Sequence, residues 1–133
     1  MKKLVAALSI VLLFGACSNS EEDKGTKSGH EEQLHMLNVK IGLPFDEIRA
    51  NANQTFSADV SYGDEVVKDA DEVMFEFREK SEEKGKMIIA EHEADGKYVA
   101  SYTFDKPGEY IITAHVTARS THNMPSEKVQ VVK

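Results

Sequence analysis

The residues most suggestive of chemistry lie in the segment HVTARSTHNMP, residues 115–125. His122 and Met124 are separated by one residue, so an extended backbone projects both side chains to the same side. Pro125 disfavours the helical conformation for the residue before it, which supports that extended backbone. Imidazole suits copper and zinc, whereas a thioether selects Cu(I) over zinc and the hard cations. The His-x-Met pair is therefore a candidate bidentate clamp for a soft metal ion.

Three further residues are candidates for the same site. His115 alternates with Ala114 and Val116 in a predicted strand, so it points away from the core and is either ordinary surface or a third ligand. Met87 and His92 bracket another predicted strand and fall on opposite faces unless a bulge intervenes, so the sequence does not decide between them. A single methionine in a strand is more often core filler than a ligand. On spacing alone, polar surface and core filler therefore remain a competing interpretation.

The elements that position these residues are predicted strands, because apolar residues alternate with period two and no long helical pattern occurs. Turn signals such as Asp95-Gly96 and Pro107-Gly108 separate the runs. We expect an all-β fold, an immunoglobulin-like antiparallel β-sandwich of about seven strands, with a small barrel as the competing architecture. Tyr110 follows a turn and is a candidate tyrosine corner. The predicted strands are residues 37–43, 54–62, 72–80, 86–93, 97–104, 109–118 and 128–132.

The N-terminus has the pattern of a secretory signal. A basic start precedes an apolar run, residues 4–16, which is shorter than the about 20 residues that a membrane-spanning helix needs. The run ends in Gly15-Ala16 directly before Cys17, the single cysteine of the chain. This arrangement resembles the lipobox of bacterial lipoproteins. It implies that residues 1–16 are cleaved as a signal peptide and that fatty acids such as palmitate acylate Cys17. The mature protein would then be anchored by lipid to the extracytoplasmic face of the cell membrane.

Composition divides the mature chain into a tether and one domain. Residues 18–33 contain no aliphatic or aromatic side chain, so they cannot bury enough apolar surface to offset chain entropy. We expect residues 17–33 to form a disordered tether and residues 34–133 to form the β-sandwich domain. The whole chain carries a formal charge of −7, and losing Lys2 and Lys3 with the signal leaves −9. That charge argues against nucleic acid as a partner and against docking on anionic lipid headgroups.

Several enzyme classes lack their motifs in this sequence. Neither a glycine-rich phosphate loop nor a GxSxG turn occurs, and the lone cysteine is assigned to the anchor, which excludes Cys–His catalysis. Paired carboxylates are common in so acidic a chain and carry little information. We therefore expect a protein that is not an enzyme. A single cysteine also excludes a disulfide framework within the chain.

The segment from Met87 to Pro125 resembles the YtkA-like domain of Gram-positive lipoproteins. The matching elements are MI…A.H, DG.Y, PG.Y and above all HVTAR followed by H.MP; upstream, DADEVMFEF is similar to the third strand of that family. The resemblance extends over most of residues 34–133. Many family members carry Gly-Met before the final histidine, where this chain has Ser120-Thr121, so one additional thioether is missing here.

The resemblance implies an extracytoplasmic copper-handling protein, a metallochaperone that delivers copper for assembly of the CuA centre of cytochrome c oxidase. The implied cargo is Cu(I), with Cu(II) as a second state, and the implied partners are an oxidase subunit or another copper chaperone. Carried over by position, the ligands are His122, Met124 and His115, with Met87 and His92 as further contributors. The alternative from a different class is a metal-free immunoglobulin-like interaction or assembly module on the cell surface.

Overall fold

The structure, a computed structural model, describes residues 35–44 and 47–133. Within these residues the chain forms ten β-strands and no helix. The predicted signal peptide (1–16), Cys17 and the tether (17–33) lie outside the described residues. Within the described ranges there is also no helix long and apolar enough to cross a membrane. The strands are β1 Leu37–Gly42, β2 Asn53–Tyr62, β3 Glu65–Val66, β4 Glu72–Glu79, β5 Lys86–Ile89, β6 Glu91–Ala94, β7 Lys97–Thr103, β8 Gly108–Ala118, β9 Thr121–Asn123 and β10 Ser126–Val131.

The strands form two antiparallel sheets. The first sheet has the order β1-β2-β7-β6, with β3 also paired to β2, and the second has the order β10-β8-β4-β5, with β9 also paired to β8. Two sheets with separate strand orders make a sandwich rather than a closed barrel. The predicted all-β antiparallel sandwich is confirmed, with ten short strands among the described residues in place of the expected seven or so.

The core lies between the inner faces of the two sheets. Phe56 contacts Phe77 and Phe104 edge to face, with ring centroids 5.0 and 6.1 Å apart, a geometry that aromatic rings prefer. The predicted alternation is observed in both sheets, where every second residue of the central strands faces inward. The buried inner-face residues include Phe56, Ala58, Val60, Val73, Phe75, Phe77, Tyr98, Ala100, Tyr110, Ile112, Ala114 and Val116.

One predicted strand, residues 86–93, is divided between the two sheets. Its first part is β5 of the second sheet and its last part is β6 of the first. The change occurs at the buried Ala90, whose amide donates to the carbonyl of Val73 at 2.9 Å. Strands that switch sheets in this way form the corners of sandwiches. As a consequence, Met87 and His92 belong to different sheets.

Tyr110 forms the corner that the sequence suggested. Its hydroxyl donates to the backbone carbonyl of Lys106 at 2.9 Å, four residues upstream. Burial raises the pKa of the Tyr110 hydroxyl, and the nearby Glu79 carboxylate adds to the shift. This hydrogen bond ties the start of β8, the strand that carries His115, to the turn before it. The tyrosine-corner prediction is therefore confirmed.

Candidate metal centre

Strand β8 presents His115 on the outer face of the second sheet. The neighbouring Ala114 and Val116 are buried in the core, whereas the His115 side chain is 21% exposed. The alternation of β8 thus turns the imidazole outward, as the sequence predicted.

A two-residue turn brings the second imidazole beside the first. Arg119 and Ser120 both have left-handed backbone conformations, with φ of 51° and 58°, which is the pattern of a type I′ hairpin turn. The turn pairs β9 with β8 so that His122 lies opposite Thr117. The guanidinium of Arg119 points away from the hairpin and donates to Asp69 at 2.8 Å. This hydrogen bond raises the pKa of Arg119.

The two imidazoles are close enough to share one ion. The ring centroids of His115 and His122 are 6.3 Å apart, with the ring planes inclined at 40°. An imidazole nitrogen binds a transition metal at about 2 Å, which puts the metal about 3 Å from the ring centre. Twice this distance from metal to ring centre is about equal to the 6.3 Å between the two ring centroids. The hairpin therefore places both rings within reach of a common metal ion.

Met124 lies beside His115 on the outer face. Thr117 pairs with His122 and Thr113 pairs with Ser126, so the same register sets Met124 opposite His115. The amide of Ala114 donates to the carbonyl of Pro125 at 3.0 Å, which keeps this segment alongside β8. The Met124 side chain is 53% exposed. Because the register on both sides of this segment is the same, Met124 is placed on the face of the sheet that carries both imidazoles.

Met74 occupies the equivalent position on the other side of His115. It lies on β4, is half-buried, and is the register partner of His115. Directly opposite residues of antiparallel strands have Cβ atoms about 5 Å apart. His115 therefore has Met74 opposite it on β4 and Met124 opposite it in the segment between β9 and β10. Met74 is not among the ligands predicted from the sequence, because the sequence does not show that β4 pairs with β8.

The remaining two candidates lie farther away. Met87 is 42% exposed and pairs with Glu76, so it shares the outer face of the second sheet. It is two strands from His115 and offset along them, which at about 4.8 Å between strands leaves it at the rim of the cluster. His92 lies on β6 of the first sheet, and its ring centroid is 5.0 Å from that of Tyr98. The structure thus brings together His115, His122 and Met124 with Met74, sets Met87 at the rim, and places His92 in the other sheet.

The chemistry of this donor set is soft. Within residues 35–44 and 47–133, no three His, Cys, Asp or Glu side chains are grouped so that they could hold a metal ion. Imidazole nitrogen and thioether sulfur are the donor types that copper, and Cu(I) in particular, prefers.

Comparison with known protein families identifies the chain. The model of the YtkA-like family matches residues 31–115, which is more than half of the chain. The chain belongs to the YtkA-like family. The matched range of this YtkA-like chain includes Met74, Met87, His92 and His115, and it ends at His115, before His122 and Met124.

Comparisons with individual proteins add evidence about the fold only. No curated protein matches the chain. A crystal structure of an engineered protein is similar with a TM-score of 0.58 and 20% identity, over 72% of this chain and 20% of that one. The chain thus spans about a fifth of that protein, and the likeness supports the sandwich fold alone. The crystal structure of the PmoD soluble domain from Methylocystis sp. ATCC 49242 (Rockwell) is similar with a TM-score of 0.47 and 16% identity, over 73% of this chain and 91% of that one.

Proposed function

We propose that this YtkA-like protein is a copper-binding metallochaperone, anchored by lipid on Cys17 at the extracytoplasmic face of the cell membrane. It holds Cu(I) between His115, His122 and Met124, with Met74 as a fourth donor. The observation that carries the proposal is the arrangement around His115, which has a methionine opposite it on each side and a second imidazole 6.3 Å away.

The position of the cluster suits transfer of the ion. Met124 and His122 are exposed at the end of a hairpin, so an acceptor can reach the ion without opening of the core. Thioethers bind Cu(I) with no proton to lose, and imidazole can also hold Cu(II). The protein binds and hands over the ion and catalyses no reaction. The family resemblance supports CuA assembly of cytochrome c oxidase as the destination, with an oxidase subunit or a second copper chaperone as the partner.

A competition titration tests the binding step. The full-length protein, purified in detergent, is titrated with Cu(I) against a chromophoric chelator, beside Met124→Leu and the control Met36→Leu. Met36 is the matched control because it is a methionine with 65% exposure whose position lies before β1. We expect Met124→Leu to weaken Cu(I) binding about tenfold, or about 1.4 kcal/mol, and Met36→Leu to leave it unchanged. Equal and weak binding by all three proteins would contradict the proposal and favour the metal-free interaction module.

A transfer assay tests the proposed destination separately. The Cu(I)-loaded protein is mixed with a metal-free CuA domain, and the optical spectrum of the CuA centre is followed. We expect copper to appear in that domain from the wild-type protein. Copper that stays on a tightly binding wild-type protein would contradict CuA delivery while leaving copper binding intact.

The lipid anchor has its own test. Cys17→Ser removes the thiol to which the acyl chains would attach, so we expect the protein to leave the membrane fraction. Mass spectrometry of the mature wild-type N-terminus should show an acylated cysteine. A wild-type chain that begins at another residue and carries no lipid would contradict the anchor.

A further inference from the structure

Two polar side chains on the outer face of the second sheet contact the imidazoles. Glu76 Oε2 lies 3.1 Å from His115 Nε2, and Thr117 Oγ1 lies 2.8 Å from His122 Nδ1. The two contacts engage different ring nitrogens on the two histidines. They therefore leave opposite nitrogens, Nδ1 of His115 and Nε2 of His122, for other partners.

We infer that Glu76 and Thr117 are positioning residues that select these nitrogens, so that His115 binds copper through Nδ1 and His122 through Nε2. The inference rests on the proposed function. Outer partners of this kind orient metal-binding imidazoles and strengthen them as ligands in many metal sites.

The contact with the carboxylate selects the ring nitrogen of His115 that carries the donated hydrogen. An ionised carboxylate can only accept, so the Nε2–H of His115 must donate to Glu76. In a neutral imidazole, a proton on Nε2 leaves the lone pair on Nδ1. The ring is then a metal ligand at Nδ1 without any rearrangement of its contact with Glu76.

Glu76 is itself held in place from its other side. The backbone amide of Gly85 donates to Glu76 Oε1 at 3.2 Å. A Cβ atom at residue 85 would lie 2.7 Å from Glu76 Cγ and 2.7 Å from the carbonyl oxygen of Phe77, so the close approach requires glycine. The carboxylate is thus fixed between a backbone donor and the imidazole, and its side chain is only 22% exposed. Such restraint is what a positioning residue needs.

Thr117 plays the corresponding role for His122. Its hydroxyl can accept as well as donate. When the Nδ1–H of His122 donates to Thr117 Oγ1, the lone pair is on Nε2, the nitrogen that the threonine does not contact. Because Thr117 and His122 are register partners on β8 and β9, the pairing of the hairpin maintains this contact.

Histidine-labelled NMR of the full-length protein in detergent tests the assignment. Imidazole carbon and nitrogen chemical shifts report the tautomer of each ring without metal and the coordinating nitrogen after Cu(I) is added. Without metal we expect the Nε2–H tautomer for His115. With Cu(I) we expect coordination through Nδ1 of His115 and Nε2 of His122. The variants His115→Gln and His122→Gln assign the signals.

Matched variants separate positioning from a merely structural role. Glu76→Ala and Thr117→Val should each weaken Cu(I) binding about 10–100-fold and abolish the nitrogen preference of their own histidine. Glu76→Gln and Thr117→Ser retain an acceptor and should keep that preference. Glu79→Ala is the control, because Glu79 is a carboxylate on the same strand that pairs with Lys106 at 2.9 Å.

The outcomes distinguish this inference from the proposed function. Cu(I) bound tightly through Nε2 of both rings, with Glu76 displaced, would overturn the inference and leave copper binding intact. Failure of Cu(I) to shift either imidazole would overturn both. Loss of the nitrogen preference in the Glu79→Ala control would also overturn the inference.

Discussion

The outer faces of the two sheets differ in chemistry although one rule of alternation builds both. On the first sheet most outward residues carry hydroxyls, amides or charges, and Val99 is an apolar exception. Thr55 and Ser101, for example, are register partners whose hydroxyls lie 3.3 Å apart. On the second sheet the same outward positions carry methionines and histidines around His115. Both faces cover the same core, so the demands of folding do not explain the difference.

The outer face of the second sheet exposes methionine side chains to water. Met87 and Met124 are 42% and 53% exposed, which leaves apolar surface in water without a gain in stability. Ile89, 72% exposed, pairs with Met74 and extends the apolar surface to the edge strand. A cluster of exposed apolar side chains suits the binding face proposed for the second sheet. The two sheets can be compared by substitutions of the same residue type.

We expect the largest loss of Cu(I) affinity when a histidine of the second sheet is substituted. His122→Ala removes an imidazole from the proposed ligand set on the second sheet, and we expect Cu(I) affinity to fall more than about 100-fold, beyond the range of outer-sphere changes. His92→Ala removes an imidazole from the first sheet, and we expect a change below about threefold, or about 0.6 kcal/mol. Competition titration measures both. Equal losses would remove the distinction between the two sheets.

The second largest loss of Cu(I) affinity is expected at Met74, which the sequence alone did not predict as a ligand. Met74→Leu preserves most of the volume but removes the thioether, so we expect about a tenfold loss of Cu(I) affinity, or about 1.4 kcal/mol. Cu(II) affinity should change much less, because thioethers select the reduced ion. An equal loss for both oxidation states would indicate a packing effect rather than a lost ligand.

A substitution at Tyr110, in the core that both sheets share, is a control that changes stability and not copper binding. Tyr110→Phe removes the hydrogen bond to Lys106 and should lower the free energy of unfolding by about 1 kcal/mol, with Cu(I) affinity unchanged. Burial raises the pKa of the hydroxyl above its ordinary 10.0. A raised pKa gives a contribution that is present below pH 10 and is lost as the pH rises through the folded-state value. Urea unfolding of both proteins should thus show their difference shrinking above pH 10; a constant difference would contradict this assignment.

The smallest expected effect concerns Met87, at the rim of the cluster. Met87→Leu should weaken Cu(I) binding by less than about threefold, since this residue lies two strands from His115. A loss as large as that of Met74→Leu would move the centre of the site towards β5. The same titration measures both variants.

Local patterns in the sequence predicted much of this structure. Alternation predicted the strands, the buried faces and the outward direction of His115, and the turn at Pro107-Gly108 predicted the corner at Tyr110. These features depend on a residue and its near neighbours, which is why one sequence contains them.

The features that the sequence did not predict are non-local. Alternation sets the face of Met74 but not the strand beside it, so its place opposite His115 required the pairing of β4 with β8. The switch of sheets at Ala90 separates Met87 from His92 and leaves no break in the apolar pattern. The turn at Arg119-Ser120 uses left-handed residues without the usual asparagine or glycine, so β9 was not expected.

X-ray absorption of the Cu(I)-loaded full-length protein tests the central claim most directly, because it reports the ligands of the bound ion. The proposed ligands on the outer face of the second sheet predict that both imidazole nitrogen and thioether sulfur are bound directly to the copper ion. The sulfur contribution should disappear in the double variant Met74→Leu/Met124→Leu and persist in Met36→Leu. A first shell of nitrogen and oxygen alone in the wild-type protein would contradict the account.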